Sequence, residues 1–229
     1  MNLDLTSAKL KPFVSHPAQE MLLVFEDDIG SGARRSLKVG LDQALTFDIN
    51  LVQNPSAEEP LVADELPGWT EVAGNSWTAA SWVTPFDGTK HFYAGAVGGT
   101  AELAQDIDLG AYAATIATGM QLFQFDAYLR AWGDGDAARI IFASYDANNT
   151  LLGTLDSNNI ANAAWVRVTA RASLPTNTKR LKVRLLSTRT SGTDNDGYFA
   201  LVSVKAVEYI PTLRDMFASQ KTAETATFS

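Results

Sequence analysis

Apolar and polar positions alternate with period two along much of the chain, most clearly in two stretches. Over 121–132, Phe123, Phe125, Ala127, Leu129 and Ala131 fall on one face, and Gln124, Asp126, Tyr128, Arg130 and Trp132 on the other. Over 181–185, Leu181, Val183 and Leu185 share a face, with Lys182 and Arg184 opposite. Successive side chains on a strand point to opposite sides, so this is the pattern of half-buried strands. Turn-forming clusters recur between such stretches, among them NPSAEEP at 54–60, FDGTK at 86–90, GDGD at 133–136, DANNT at 146–150, LPTNTK at 174–179 and TSGTDNDG at 190–197. Short strands at this spacing, with no long amphipathic helix among them, predict an all-β sandwich or barrel and not an α/β fold.

The two ends follow other patterns. MLLVF at 21–25 and SLKV at 36–39 predict a hairpin around a polar turn at 26–35, followed by one helical turn over 41–45. So small a unit buries little by itself, and residues 1–48 are expected to dock on something else. The main body is assigned to 49–210. Beyond it, 211–229 reads as a short helix opening at Pro211, with Leu213, Met216 and Phe217 on one face, and then an extended arm.

Composition narrows the classes of function. No apolar run reaches the roughly 18 residues of a membrane span. The opening MNLDLTSAKLKPF has no continuous apolar core of the signal-peptide kind, so neither membrane insertion nor ordinary secretion is expected. There is no cysteine, which excludes disulfides, thiolate nucleophiles and cysteine metal sites. A net charge of −8 argues against a nucleic-acid partner. That charge is segregated. Glu58 to Asp108 holds nine acids and one base, whereas Ser157 to Thr193 holds seven bases and no acid.

Five segments carry a resemblance. They are NLVQNPSAE at 50–58 with LPGWT at 66–70, FDGTKHFY at 86–93, WVRV at 165–168 and GYFALVSV at 197–204. Together they resemble the carbohydrate-binding-module (galactose-binding-like) jelly roll over about 160 residues. The resemblance implies a jelly-roll β-sandwich, with Trp69 and Trp165 at core positions. The family's structural calcium would fall to Glu58 and Asp196, but its closing acid pair is replaced by Ala200-Leu201-Val202, so the ligand set is incomplete. Residues 1–48 are similar to the short leaders of tailed-bacteriophage fibre and virion proteins.

Catalytic groups are sparse. His91 is the one candidate base in the main body, it lies in the strand-like HFY, and no G-x-S-x-G accompanies it. Glu58 and Glu59 are adjacent and Asp106 and Asp108 share a strand face, but nothing in the pattern sets two carboxylates across a cleft. Asp134-Gly135-Asp136 reads as a turn.

The expectation is therefore a non-enzymatic virion structural protein, a capsid decoration or a tail or fibre component, assembled in the host cytoplasm. It would bind other virion proteins and form a homo-oligomer, with a trimer favoured. Arg167, Arg171, Lys182 and Arg184, taken as outward residues of two strands close together, form its predicted basic interface, along with Leu213, Met216 and Phe217. The alternative is glycan recognition through outward aromatics, for which Trp77, Trp82 and Trp132 are the candidates.

Overall fold

A computed structural model describes residues 20–25, 35–40, 49–132 and 135–207. The chain divides into two compact units, Met1–Leu45 and Thr46–Ser229. In the first, β1 (Glu20–Phe25) pairs antiparallel with β2 (Arg35–Gly40), Met21 opposite Val39. This is the hairpin the sequence predicts. The helical turn expected at 41–45, and the C-terminal helix with Leu213, Met216 and Phe217, lie outside the described residues.

The second unit is a sandwich of two five-stranded antiparallel sheets. Its strands in chain order are β3 (Thr70–Ala73), β4 (Thr78–Ala80), β5 (His91–Tyr93), β6 (Thr100–Asp108), β7 (Leu122–Ala131), β8 (Ala137–Tyr145), β9 (Leu151–Asp156), β10 (Val166–Ser173), β11 (Arg180–Thr188) and β12 (Gly197–Ala206). A single-turn helix, α1 (Ala113–Ala117), joins β6 to β7. Sheet I runs β10-β7-β12-β5-β4 and sheet II runs β3-β6-β11-β8-β9.

The predicted alternation governs the core. Phe123, Phe125, Leu129, Leu181, Val183 and Leu185 are all essentially inaccessible. Phe125 of sheet I meets Phe142 of sheet II at 5.0 Å between ring centroids. Trp69 packs edge-on to Phe92 at 5.0 Å and donates its indole N–H to the carbonyls of Gln53 and Asn54. Gln105 is one of several polar side chains buried among the described residues. The Gln105 amide donates to the carbonyls of Gln53 and Gly68 and accepts from Gln53 N, so all of its burial cost is met by hydrogen bonds.

The strand that closes the fold contains a bulge that its sequence does not announce. Ala200 faces Tyr128, but Ser203 faces Asp126, so β12 carries one residue more than β7 between those rows. Leu201 takes up the extra residue at φ +49°, a left-handed conformation that costs a side-chain-bearing residue about 1–2 kcal/mol. Its effect is to invert the parity of the strand. Before the bulge Phe199 points inward; after it Val202, Val204 and Ala206 point inward, while Ser203 and Lys205 point out. Segment 50–56 holds this arrangement in place. Ser56 Oγ accepts from Leu201 N (3.0 Å), Pro55 O accepts from Val202 N (2.9 Å), and the Asn50 side chain bonds both Val202 O and Val204 N (3.0 Å each).

Ser56 is buried, so removing its hydroxyl leaves Leu201 N without an acceptor. Ser56→Ala is expected to lower stability by about 1–3 kcal/mol, read as a lower urea midpoint at unchanged denaturant slope. An unchanged midpoint would mean that the bulge stands without this contact.

Candidate functional site

The outer faces of the two sheets differ sharply in charge pairing. On sheet II every base of β8 and β11 has a carboxylate partner. Arg184 grips Glu102 through two bonds of 2.7 Å, Arg139 pairs with Asp156, and Arg180 and Lys182 both meet Asp106. The acid-rich and base-rich blocks of the sequence thus meet as β6 and β11 of a single sheet. This corrects the expected basic interface. Arg167 and Arg171 lie on β10 of sheet I, whereas Lys182 and Arg184 lie on β11 of sheet II, so the four do not form one patch.

The outer face of sheet I has two parts. Over β4, β5 and the start of β12, the 81–90 loop folds across the sheet and buries an aromatic cluster. Val83, Ala80, Tyr93 and Tyr198 pack together with half-buried Trp165 against them. Trp165 donates its indole N–H to Thr84 O at 3.0 Å, so it sits under the loop and not in the core between the sheets, as the resemblance implies for it. Glu58 anchors the loop, accepting from Thr89 N, Thr89 Oγ1 and Lys90 N at 2.6–2.7 Å. Burial pushes its carboxyl up, but these bonds outweigh that and hold it below the usual range. Gly88 is required here, because at φ +68° a Cβ would lie 2.4 Å from Glu58 Oε1. Asp196 accepts from the Tyr198 hydroxyl at 2.7 Å. Among the described residues no group of three or more His, Asp or Glu side chains is placed to hold a cation. Asp136, of the D-G-D turn, is fully buried and accepts from the backbone N–H groups of Thr190, Ser191 and Asp196.

The second part is open. Along β7, β10 and β12 a groove of about 570 Å³ runs over the sheet, with Asn50, Pro55 and Leu201 on one flank. Its floor consists of three cross-strand rows. Arg167, Tyr128 and Ala200 form one, Thr169, Asp126 and Ser203 the next, and Arg171, Gln124 and Lys205 the third. Phe86, at the edge of the 81–90 loop, stacks on Tyr128 with ring centroids 3.5 Å apart. Asp126 accepts from Arg167 (2.6 and 3.0 Å) and from Gln124 Nε2 (3.0 Å), so one carboxylate orders both neighbours. Ser203 Oγ is buried without a hydrogen-bond partner. A second hollow of about 580 Å³ near Asn159–Val166 carries neither a charged nor an aromatic side chain.

Of the predicted ligand-facing aromatics, Trp77 is a core residue. It is 2% exposed, packs on Phe199 and donates its ring N–H to Ala73 O. Trp82 and Trp132 are 63% and 57% exposed, but neither lines the groove. Trp82 leans edge-on against Tyr93, and Trp132 follows β7 beyond Arg130. Gln124, Asp126 and Tyr128 do line it, and their alternation on β7 was the available signal. Ser203 and Lys205 gave none, because their orientation depends on the bulge.

No protein-family model and no curated protein matches this sequence. Solved structures do. The enzymatically active domain of tailspike protein 4 of bacteriophage CBA120 superposes with a TM-score of 0.52 at 14% identity, over 69% of this chain and 22% of that one. This chain therefore spans about a fifth of the tailspike domain. A family 16 carbohydrate-binding module aligns at 0.48 with 20% identity, over 68% of this chain and 99% of the module. A family 22 xylan-binding domain from Paenibacillus barcinonensis aligns at 0.44 with 12% identity, over 68% and 93%. Each likeness is one of fold. The architecture is that of a jelly-roll β-sandwich, as the sequence predicts.

His91 gives this face a measurable acid response. It is fully buried, ringed edge-on by Trp82, Trp165 and Tyr198, and neither ring nitrogen has a hydrogen-bond partner. Burial, reinforced by Arg130 and Lys90, pushes its pKa down to about 4. The unfolded chain, with histidine near 6.5, takes up the proton first, so the stabilisation is complete above pH 6.5 and is lost as pH falls from there towards 4. Wild type is expected to lose more of its urea midpoint between pH 7 and 4.5 than His91→Phe does. Equal losses would mean that His91 is not the group responsible.

Proposed function

We propose that this protein is a non-enzymatic glycan-binding β-sandwich and that the sheet I groove holds the sugar chain. The observation that carries this reading is the groove floor. It offers a line of hydrogen-bonding side chains, Gln124, Asp126 and Arg167, beside the Tyr128–Phe86 aromatic pair. Sugar hydroxyls are simultaneous donors and acceptors, and a carboxylate gripped by an arginine and an amide presents both kinds of partner in fixed positions. The less polar faces of a pyranose ring suit an aromatic surface. Binding requires no general acid opposite a base, and outside the groove Glu102, Asp106 and Asp156 are paired with bases while Glu58 and Asp136 accept from backbone N–H groups.

The virion structural role is the second reading. In its favour is the β1–β2 hairpin, a separate element too small to bury a core of its own, placed where the leader-like pattern lies. Its predicted basic interface is not assembled on one face, which makes glycan recognition the stronger of the two. On this reading a bacteriophage particle is where the module works, and the two roles are compatible in one chain.

Arrays of immobilised plant and bacterial polysaccharides, probed with the full chain, test the first reading. At least one polymer is expected to bind, with affinity falling more than about tenfold in Tyr128→Ala. Absence of binding across the array overturns it. Light scattering tests the second. A defined oligomer for the full chain and a monomer for residues 49–210 is the expected result, and monomers for both would remove the assembly role.

A further inference from the structure

Two cations in the groove lack the partners that every base on the strands of sheet II possesses. Arg171 and Lys205 both flank Gln124 in the third row of the groove floor. Neither has an ion-pair partner among the described residues, whereas Arg167, two rows away, is held by Asp126. Two strand spacings separate them, about 10 Å, and both side chains are long enough to converge above Gln124. The protein as a whole carries a charge of −8, so an unpaired pair of bases at one end of a single groove is a local departure from the general field.

Resting on the glycan-binding reading, we propose that the ligand is an acidic polysaccharide, whose carboxylate is held between Arg171 and Lys205 while uncharged sugar units lie over the Asp126–Arg167 and Tyr128 rows. The division of labour follows from the charges. Arg167 and Asp126 neutralise each other and suit hydroxyls, so a carboxylate brought there would meet the Asp126 charge. At the Gln124 row it meets two cations, and the planar guanidinium of Arg171 can bind it through two parallel N–H bonds.

The test uses the full chain and two acidic probes that combine uronate with uncharged sugar units, hyaluronan and glucuronoxylan, each alongside its carboxyl-reduced form, which keeps the sugar backbone but loses the charge. At least one acidic polymer is expected to bind at least tenfold more tightly than its reduced form. Arg171→Gln/Lys205→Gln should abolish that difference while leaving the urea midpoint unchanged, since both side chains are solvent-facing. Equal binding of acidic and reduced polymers, or a preference that survives the double substitution, overturns the proposal while leaving glycan binding intact. Equal binding of dextran sulfate would also overturn it, because the groove would then be a general polyanion surface. If neither the acidic nor the reduced polymers bind and the polysaccharide array is also blank, the glycan-binding reading itself fails.

Discussion

One inserted residue in β12 determines which side chains this protein shows to solvent. Without the bulge at Leu201, the strand's strict alternation would turn Val202, Val204 and Ala206 outward and drive Ser203 and Lys205 into the core. Burying a lysine among phenylalanines is far more costly than one left-handed leucine, so the strained conformation is the cheaper solution. The bulge also frees the far edge of β12 from β5, and segment 50–56 occupies that edge. Groove floor, groove flank and core closure therefore depend on the same local irregularity.

Electrostatics divides the two outer faces by a different rule. On sheet II, cross-strand pairs neutralise each base of β8 and β11, and the exposed ones among them contribute little to stability individually. Their effect is to leave that face without a net basic patch. On sheet I the pairing is incomplete: Arg171 and Lys205 in the groove have no ion pair among the described residues, and outside the groove the buried Nε of Arg130 has no hydrogen-bond partner. Matched bases on one side and unmatched ones on the other give the sandwich an electrostatic polarity.

Much of the fold could be read from sequence, because period two is enforced wherever one strand face is buried. The inward sets of β7 and β11 are the clearest cases, and the β1–β2 hairpin followed from the same logic. The candidate site was legible only in part. Tyr128, Asp126 and Gln124 stood on the outward face of β7 from the pattern alone. Trp77 looked accessible because it lies in a turn-rich segment, yet its ring inserts against Phe199. Aromatics near turns are poor guides, since loops folding over a sheet bury them as effectively as strands do. Arg167 and Lys182 both read as outward, which is correct, but strand parity says nothing about which sheet a strand joins. The bulge left no trace, since a leucine occupies a conformation that usually signals itself by glycine or asparagine.

The sheet order has a consequence for how the protein is made. In both sheets the middle strand comes from the end of the sandwich sequence, β12 for sheet I and β11 for sheet II. The strands on either side of them are translated earlier: β11 must find β6, some eighty residues back, and β12 must find β7. During synthesis the chain accumulates flanking strands with unsatisfied edges and nothing to join them, apart from local hairpins such as β8–β9. Pairings of this range form slowly, because the entropy of closing the loop is lost before any contact compensates for it. The sandwich therefore cannot close progressively behind the ribosome; it completes in one late event, when residues 180–206 emerge and take the centre of both layers.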